Sequence, residues 1–185
     1  MRDKIEKLIK PMIFIAAAVF VLCYLIRKPV ELGDYTSYLG YSVTAVTVFF
    51  IMYEKLLWKK ITWNRPPILS EKYQGVIKYN FRGVSGEKPI DITIKQTWLS
   101  IDVQTRTDIN SSVTTTAMIV NEYGQDILYY TYMTNPSAAS QSENPIQHGT
   151  CRMVLGGDNM HLVGKYWTSS NTTGDIEWTA RRMEG

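Results

Sequence analysis

Trp98, Tyr130, Tyr132, Tyr166 and Trp167 spread flat aromatic rings through the second half of this chain. Such a ring is a face on which a nucleobase stacks, worth about 1 to 3 kcal/mol where the contact forms. Arg82, Arg106, Arg152, Arg181 and Arg182 add planar guanidinium forks that grip a phosphate through two hydrogen bonds at once. Both sets have a plainer reading, because strand aromatics usually pack against their neighbours and strand arginines usually point into water. Catalytic patterns are missing. The two histidines, His148 and His161, belong to no nucleophile motif, zincin helix or phosphate-cradling loop, and with Cys151 they match no structural zinc spacing. The chemistry on offer is binding, with neither an enzyme reaction nor a cofactor.

The elements that must position these groups differ sharply along the chain. Two apolar stretches, Met12 to Ile26 and Tyr35 to Tyr53, are joined by only eight residues, Arg27 to Asp34. Such a loop cannot hold a domain, so the pair reads as a helical hairpin. A bilayer core of about 30 Å needs roughly 20 apolar residues of helix, and the second stretch meets this directly. The first meets it over residues 8–26 if Lys10 reaches up to the headgroups. A secretory signal is the alternative for that segment, but Tyr24-Leu25-Ile26-Arg27-Lys28 offers no small-x-small cleavage site. Two buried helices of a soluble protein would need a partner layer, and the rest of the chain does not read as one.

Arg2, Lys4, Lys7 and Lys10 precede the first stretch, and Lys55, Lys59, Lys60 and Arg65 follow the second. The connecting loop balances Arg27 and Lys28 against Glu31 and Asp34. Positive charge therefore places both termini in the cytoplasm. Tyr35, Tyr38 and Tyr41 at one end, and Tyr53, Trp58 and Trp63 at the other, suit the two interfaces. Residues 73–185 carry 9 Lys+Arg against 11 Asp+Glu, which argues against a polymeric nucleic acid as partner. One or two phosphates on a small ligand need only a few placed cations. Cys23 in a span and Cys151 in the distal part cannot meet, so no disulfide is expected. The sequons at Asn110 and Asn171 have no meaning on a cytoplasmic domain.

Pro66-Pro67 marks a stiff connector over residues 64–72, after which the periodicity switches to two. Tyr73-x-Gly75-x-Ile77-x-Tyr79-x-Phe81 is followed by Ile90-x-Ile92-x-Ile94, Leu99-x-Ile101-x-Val103 and Val113-x-Thr115-x-Ala117-x-Ile119. Ile127 to Met133, Cys151 to Leu155, Met160 to Tyr166 and Ile176 to Ala180 complete eight candidate strands with no helical segment between them. Short connections favour a meander, and closing it removes both edges. The expected fold is an eight-stranded antiparallel up-and-down barrel, lipocalin-like, over residues 73–185, behind a two-helix transmembrane hairpin over 1–63. Such an interior holds side chains plus one small ligand. The longest connection, Asn135 to Gln147, is a candidate lid over one mouth.

Two transmembrane helices, a short linker and a C-terminal β-rich domain resemble the SMODS-associating, two-transmembrane β-strand-rich effectors of CBASS, the cyclic-oligonucleotide-based anti-phage signalling of bacteria. In residues the resemblance rests on Tyr130-x-Tyr132-x-x-Asn135-Pro136, on His148-Gly149-Thr150, and on Leu162-x-Gly164-x-Tyr166 with Gly174-x-Ile176 and Arg181. It implies a bacterial inner-membrane effector. Its barrel would bind a cyclic dinucleotide, its hairpins would then associate, and the bilayer would be disrupted, killing the infected cell. The ligand residues expected are Trp98, Tyr130, Tyr132, Asn135, His148, Thr150, Arg152 and Tyr166. The aromatics would stack on bases, Asn135 and Thr150 would read base edges, and Arg152 or His148 would meet phosphate. Small residues in the hairpin (Ala16, Ala17, Ala18, Gly40, Ser42, Ala45) allow close helix packing. Two other readings stay open: a membrane-anchored carrier of an apolar ligand, and a membrane scaffold whose barrel is packed solid.

Overall fold

The computed structural model describes residues 2–61, 66–81, 83–108, 110–138, 141 and 145–181. Arg82, Arg182, Trp63, Arg65 and much of the expected lid (139, 140 and 142–144) lie outside the described residues. The chain divides into two compact units. One holds residues 1–65 together with Thr97–Leu99, and the other holds Pro66–Gln96 and Ser100–Gly185.

In the first unit, helix α1 (Arg2–Ile26) and helix α2 (Leu32–Lys55) pack on one another, followed by a single 3-10 turn at Leu57–Lys59. Asp34, in the first turn of α2, reaches back over the loop between the helices, its carboxylate accepting hydrogen bonds from the N–H groups of Val30 (2.9 Å) and Glu31 (3.2 Å). That satisfies two donors just ahead of the first turn of α2. The Tyr38 hydroxyl donates to the Arg27 carbonyl, and its ring meets Phe20 edge-on at 6.2 Å. Both helices, over Glu6–Ile26 and Leu32–Lys55, are long and apolar enough to cross a membrane. Their outer faces expose Phe14, Leu22, Leu25, Leu39 and Val43, each more than half accessible.

The second unit is all β. Eight strands, β1 (Lys72–Phe81), β2 (Val84–Gln96), β3 (Ile101–Arg106), β4 (Asn110–Glu122), β5 (Gln125–Pro136), β6 (His148–Leu155), β7 (His161–Thr168) and β8 (Thr173–Ala180), close into one antiparallel meander barrel. Each strand pairs with its sequence neighbours, and β8 returns to β1 in the register Tyr73 opposite Ala180. The β4–β5 hairpin turns on Tyr123 and Gly124, both at positive φ (51° and 85°), the left-handed pair that a two-residue turn of this kind requires.

Alternation carries one face of every strand inward. At the end where the linker enters, Tyr73, Ile92, Ile94, Val103, Leu128, Met153, Leu162 and Trp178 are all at most 2% exposed and fill the lumen. The Tyr73 hydroxyl accepts from Ser70 N–H and donates to the Asn159 carbonyl, each at 2.8 Å, tying linker and β6–β7 turn across that end.

Large inward side chains face inward glycines across the strand pairs. Tyr79 stands opposite Gly86, Tyr132 opposite Gly149, Tyr166 opposite Gly174, Trp178 opposite Gly75 and Met153 opposite Gly164. A Cβ at Gly149 would land on the Tyr132 ring, and one at Gly174 would come within 2.6 Å of the Tyr166 ring. Glycine supplies the volume that the ring fills.

One strand departs from the expected alternation. Between Thr114 and Thr116 the pairing of β4 with β5 shifts by one residue, a β-bulge. Val113 therefore points outward and is 45% exposed, whereas Ala117 and Ile119 pack against the core. The run Val113-x-Thr115-x-Ala117-x-Ile119 does not lie on one face, because the extra residue reverses the parity halfway.

Burial also fixes charge states. Desolvation pushes the Cys151 thiol, the hydrogen-bond partner of Tyr130, up to about 12 from its ordinary 9.0. It likewise pushes the Tyr166 phenol up to about 12 from 10.0, and Tyr130 and Tyr132 shift in the same direction. The contribution of these four groups to stability is fully present below their unfolded values and is lost at higher pH, where the unfolded chain releases its protons first. Unfolding in urea should thus show flat stability to about pH 9 and a decline between about 9 and 12, together with cooperative appearance of tyrosinate absorbance. Gly149→Val should lower the stability of the barrel by about 1 to 3 kcal/mol through overpacking against Tyr132, measured by the same denaturation. Unchanged stability would show that the Tyr132 ring has other room.

Candidate functional site

Above the solid half, the lumen opens into a cavity of about 380 Å³, within the range of small-molecule sites. Its lower wall is Ile77, Ile90, Tyr130, Cys151 and Ile176. Trp178 lies beneath, its ring 5.9 Å from Tyr130 and 6.0 Å from Tyr73, and it separates cavity from packed core. Tyr79, Tyr132 and Tyr166 form the side walls. Tyr130 and Tyr132 are two apart on β5, so they share a face, and their rings are tilted 41° with centroids 5.8 Å apart.

Toward the mouth the lining turns polar. Thr105, Thr107, Asn110, Ser111 and Ser112 come from β3, β4 and their connection, Thr134 and Gln147 from the next pair, and Thr168 and Thr172 from the β7–β8 hairpin. Several are already engaged. The hydroxyls of Thr105 and Ser112 are 2.6 Å apart, Thr134 Oγ1 accepts from the Gln147 N–H at 2.8 Å, and Thr168 Oγ1 accepts from the Thr172 N–H at 3.3 Å. Asn110 differs: its Oδ1 is buried and has no hydrogen-bond partner among the described residues. An unmatched acceptor at a cavity wall is a place for a ligand N–H, because leaving it dry costs about 1 to 3 kcal/mol.

Among the described lining residues Lys88 brings a positive charge, its Nζ 5.3 Å from the centre of the Tyr79 ring, and no carboxylate is present. Burial keeps Tyr130, Tyr132, Tyr166 and Cys151 protonated at physiological pH. Among the described lining residues an anionic ligand thus meets one cation, several hydroxyls and no opposing charge.

The eight expected ligand residues divide by strand parity. Tyr130, Tyr132 and Tyr166 line the cavity. Arg152, Thr150 and His148 on β6 alternate with the inward Cys151 and Gly149, so they point outward. There Arg152 donates to Glu122 Oε2 and to the Tyr129 hydroxyl, both at 2.9 Å. This outer network draws the Glu122 carboxyl below its ordinary value, through the Tyr129 hydrogen bond first and then Arg152. Asn135 is exposed at odd parity on β5. Trp98 is not a barrel residue; it groups with the helices, its ring meeting Tyr53 edge-on at 5.2 Å and its backbone N–H donating to the Glu54 carbonyl. The extra strand arginines Arg106 and Arg181 and the ring of Trp167 are likewise absent from the cavity wall.

Sequence reasoning passed over Tyr79, Lys88 and Asn110. Two of these had a signal: Tyr79 continues the Tyr73, Gly75, Ile77 alternation, and Lys88 precedes Ile90 by two. Asn110 had none, since it lies beyond the strand read from Val113.

Residues 65–180 match the family described as Cap15, cyclic dinucleotide receptor domain. Over 179 residues, 95% of this chain and 97% of the relative, the sequence is 38% identical to CD-NTase-associated protein 15 of Staphylococcus schleiferi. The β-barrel behind two apolar helices and the matches over barrel and hairpin agree, and the chain belongs to the Cap15 family of CBASS effectors.

Proposed function

We propose that the half-hollow barrel is the receptor for a cyclic dinucleotide, and that occupancy drives association of the hairpins and disruption of the membrane they cross. The observation that carries the reading is the cavity itself: among its described lining residues are four tyrosines above a tryptophan floor, a hydroxyl-rich mouth, one lysine and no acid. Tyr132 and Tyr166 offer their faces to the bases, and Tyr130 supports Tyr132 from below. Asn110 Oδ1 accepts from a base or ribose donor, and Lys88 meets a phosphate at the rim. Of the eight residues expected from the sequence, the proposal keeps Tyr130, Tyr132 and Tyr166; it assigns Arg152, Thr150, His148 and Asn135 to the outer surface and Trp98 to the helical unit.

The helices support the membrane part. Exposed Phe14, Leu22, Leu25, Leu39 and Val43 form a surface that water would penalise and acyl chains would not. With the basic residues at both ends, the hairpin belongs in the inner membrane with its termini and the barrel in the cytoplasm. The ligand can shift association only by its preference for the assembled form, and a hundredfold shift takes about 2.7 kcal/mol of differential binding. One stacked base and one phosphate contact cover that. A carrier of apolar ligands fits less well, because the mouth is lined by hydroxyls and amides; a solid scaffold fits less well, because the upper lumen is open.

Calorimetry on the detergent-solubilised chain should show cyclic dinucleotide binding weakened about tenfold or more by Tyr132→Leu and by Lys88→Ala, each with unchanged circular dichroism. Arg152→Ala should bind as the wild type does; if it alone abolishes binding, the cavity is the wrong site. Saturating ligand should shift the same sample to larger species in sedimentation, and an unchanged profile with binding intact would sink the association step.

A further inference from the structure

The barrel wall is thinnest between β3 and β4, and it leaves a strand edge open. Only three residue pairs join these strands: Gln104 with Val113, Thr105 with Ser112 and Arg106 with Ser111. The next rung is made by a side chain, since Thr114 Oγ1 accepts from the Val103 N–H (2.8 Å) and donates to the Val103 carbonyl (2.6 Å). The bulge after Thr114 then turns β4 away. From Thr116 to Glu122 the strand pairs with β5 on one side, and on the other no backbone partner exists among the described residues.

Exposed strand edges are normally blunted by a lysine, a proline or an extra bulge. Thr116-Ala117-Met118-Ile119-Val120-Asn121 carries neither lysine nor proline, and its one bulge lies at the start, leaving the run from Ala117 onward regular. Ala117 and Ile119 anchor it to the core, while Met118 (55% exposed) and Val120 (37%) point outward. The strand is firmly held on its inner face and open along its free side.

We infer that this edge of β4 is an interface for a second copy of this chain, pairing antiparallel with its own counterpart to join two barrels into one continuous sheet. A strand laid antiparallel on its own copy matches donor to acceptor on every free rung, as a two-fold interface demands. Charge favours this occupant. The segment is uncharged, so no like charges meet across the two-fold, and Glu122 at its end is already held by Arg152 at 2.9 Å. An acidic or basic peptide would find no counter-charge along it. Tethering two copies in one bilayer raises their effective concentration, so a short edge suffices. The pairing needs no ligand and does not depend on what the cavity binds.

Met118 lies at the middle of the edge, where the two-fold brings it against its own copy. Sedimentation of the full chain in detergent, without ligand, should show a concentration-dependent dimer. Met118→Lys and Met118→Glu should each raise its dissociation constant about tenfold or more, because like charges then face one another, with melting temperatures unchanged. Mixing the two variants should restore the dimer, a rescue that hairpin-driven association would not give. A wild type that stays monomeric, variants that associate as the wild type does, or a mixture that fails to recover would each overturn the inference.

Discussion

The interior volume of an eight-stranded barrel governs everything else in this molecule. A closed meander of this size is just wide enough for its own side chains, so large rings and an open cavity compete for one lumen. Glycine resolves the competition. Because Gly86, Gly149 and Gly174 lack a Cβ, the rings of Tyr79, Tyr132 and Tyr166 lie over the neighbouring strand instead of crossing the lumen. The tyrosines become wall, and the space they vacate becomes cavity. Lower down, Gly75 does the same for Trp178, but there Tyr73, Ile92 and Leu162 fill what remains.

Much of the fold could be read from period-two alternation, because a strand with one face in a core must repeat its apolar residues at every second position. All eight strands, their order and their antiparallel closure follow from that pattern and the short turns between them. The boundaries were harder. β2 begins at Val84, well before Ile90, and β4 at Asn110, since polar residues at the mouth also obey the pleat without leaving a hydrophobic signature. The bulge at Thr114–Thr116 was invisible because threonine suits either face.

The site was less legible than the fold for a related reason. Tyr130 and Tyr132 were identifiable by type, and their partners Cys151 and Gly149 fix which face is inward only once the register is known. That same register sends Arg152 outward into its pair with Glu122, so a residue chosen for its chemistry was removed by geometry. Trp98 shows another limit. Alternation says nothing about a connection, and Thr97–Leu99 belongs with the helices although β2 and β3 flank it. The cation on the described cavity wall is Lys88, which nothing in its immediate sequence marks out.

Cys151 has a consequence for a receptor working in a stressed cell. Oxidants attack thiolate, and a thiol whose pKa is about 12 holds only about one part in 10⁵ as thiolate at neutral pH. Burial thereby holds the sulfur at the heart of the pocket in the thiol form, the one that oxidants attack slowly.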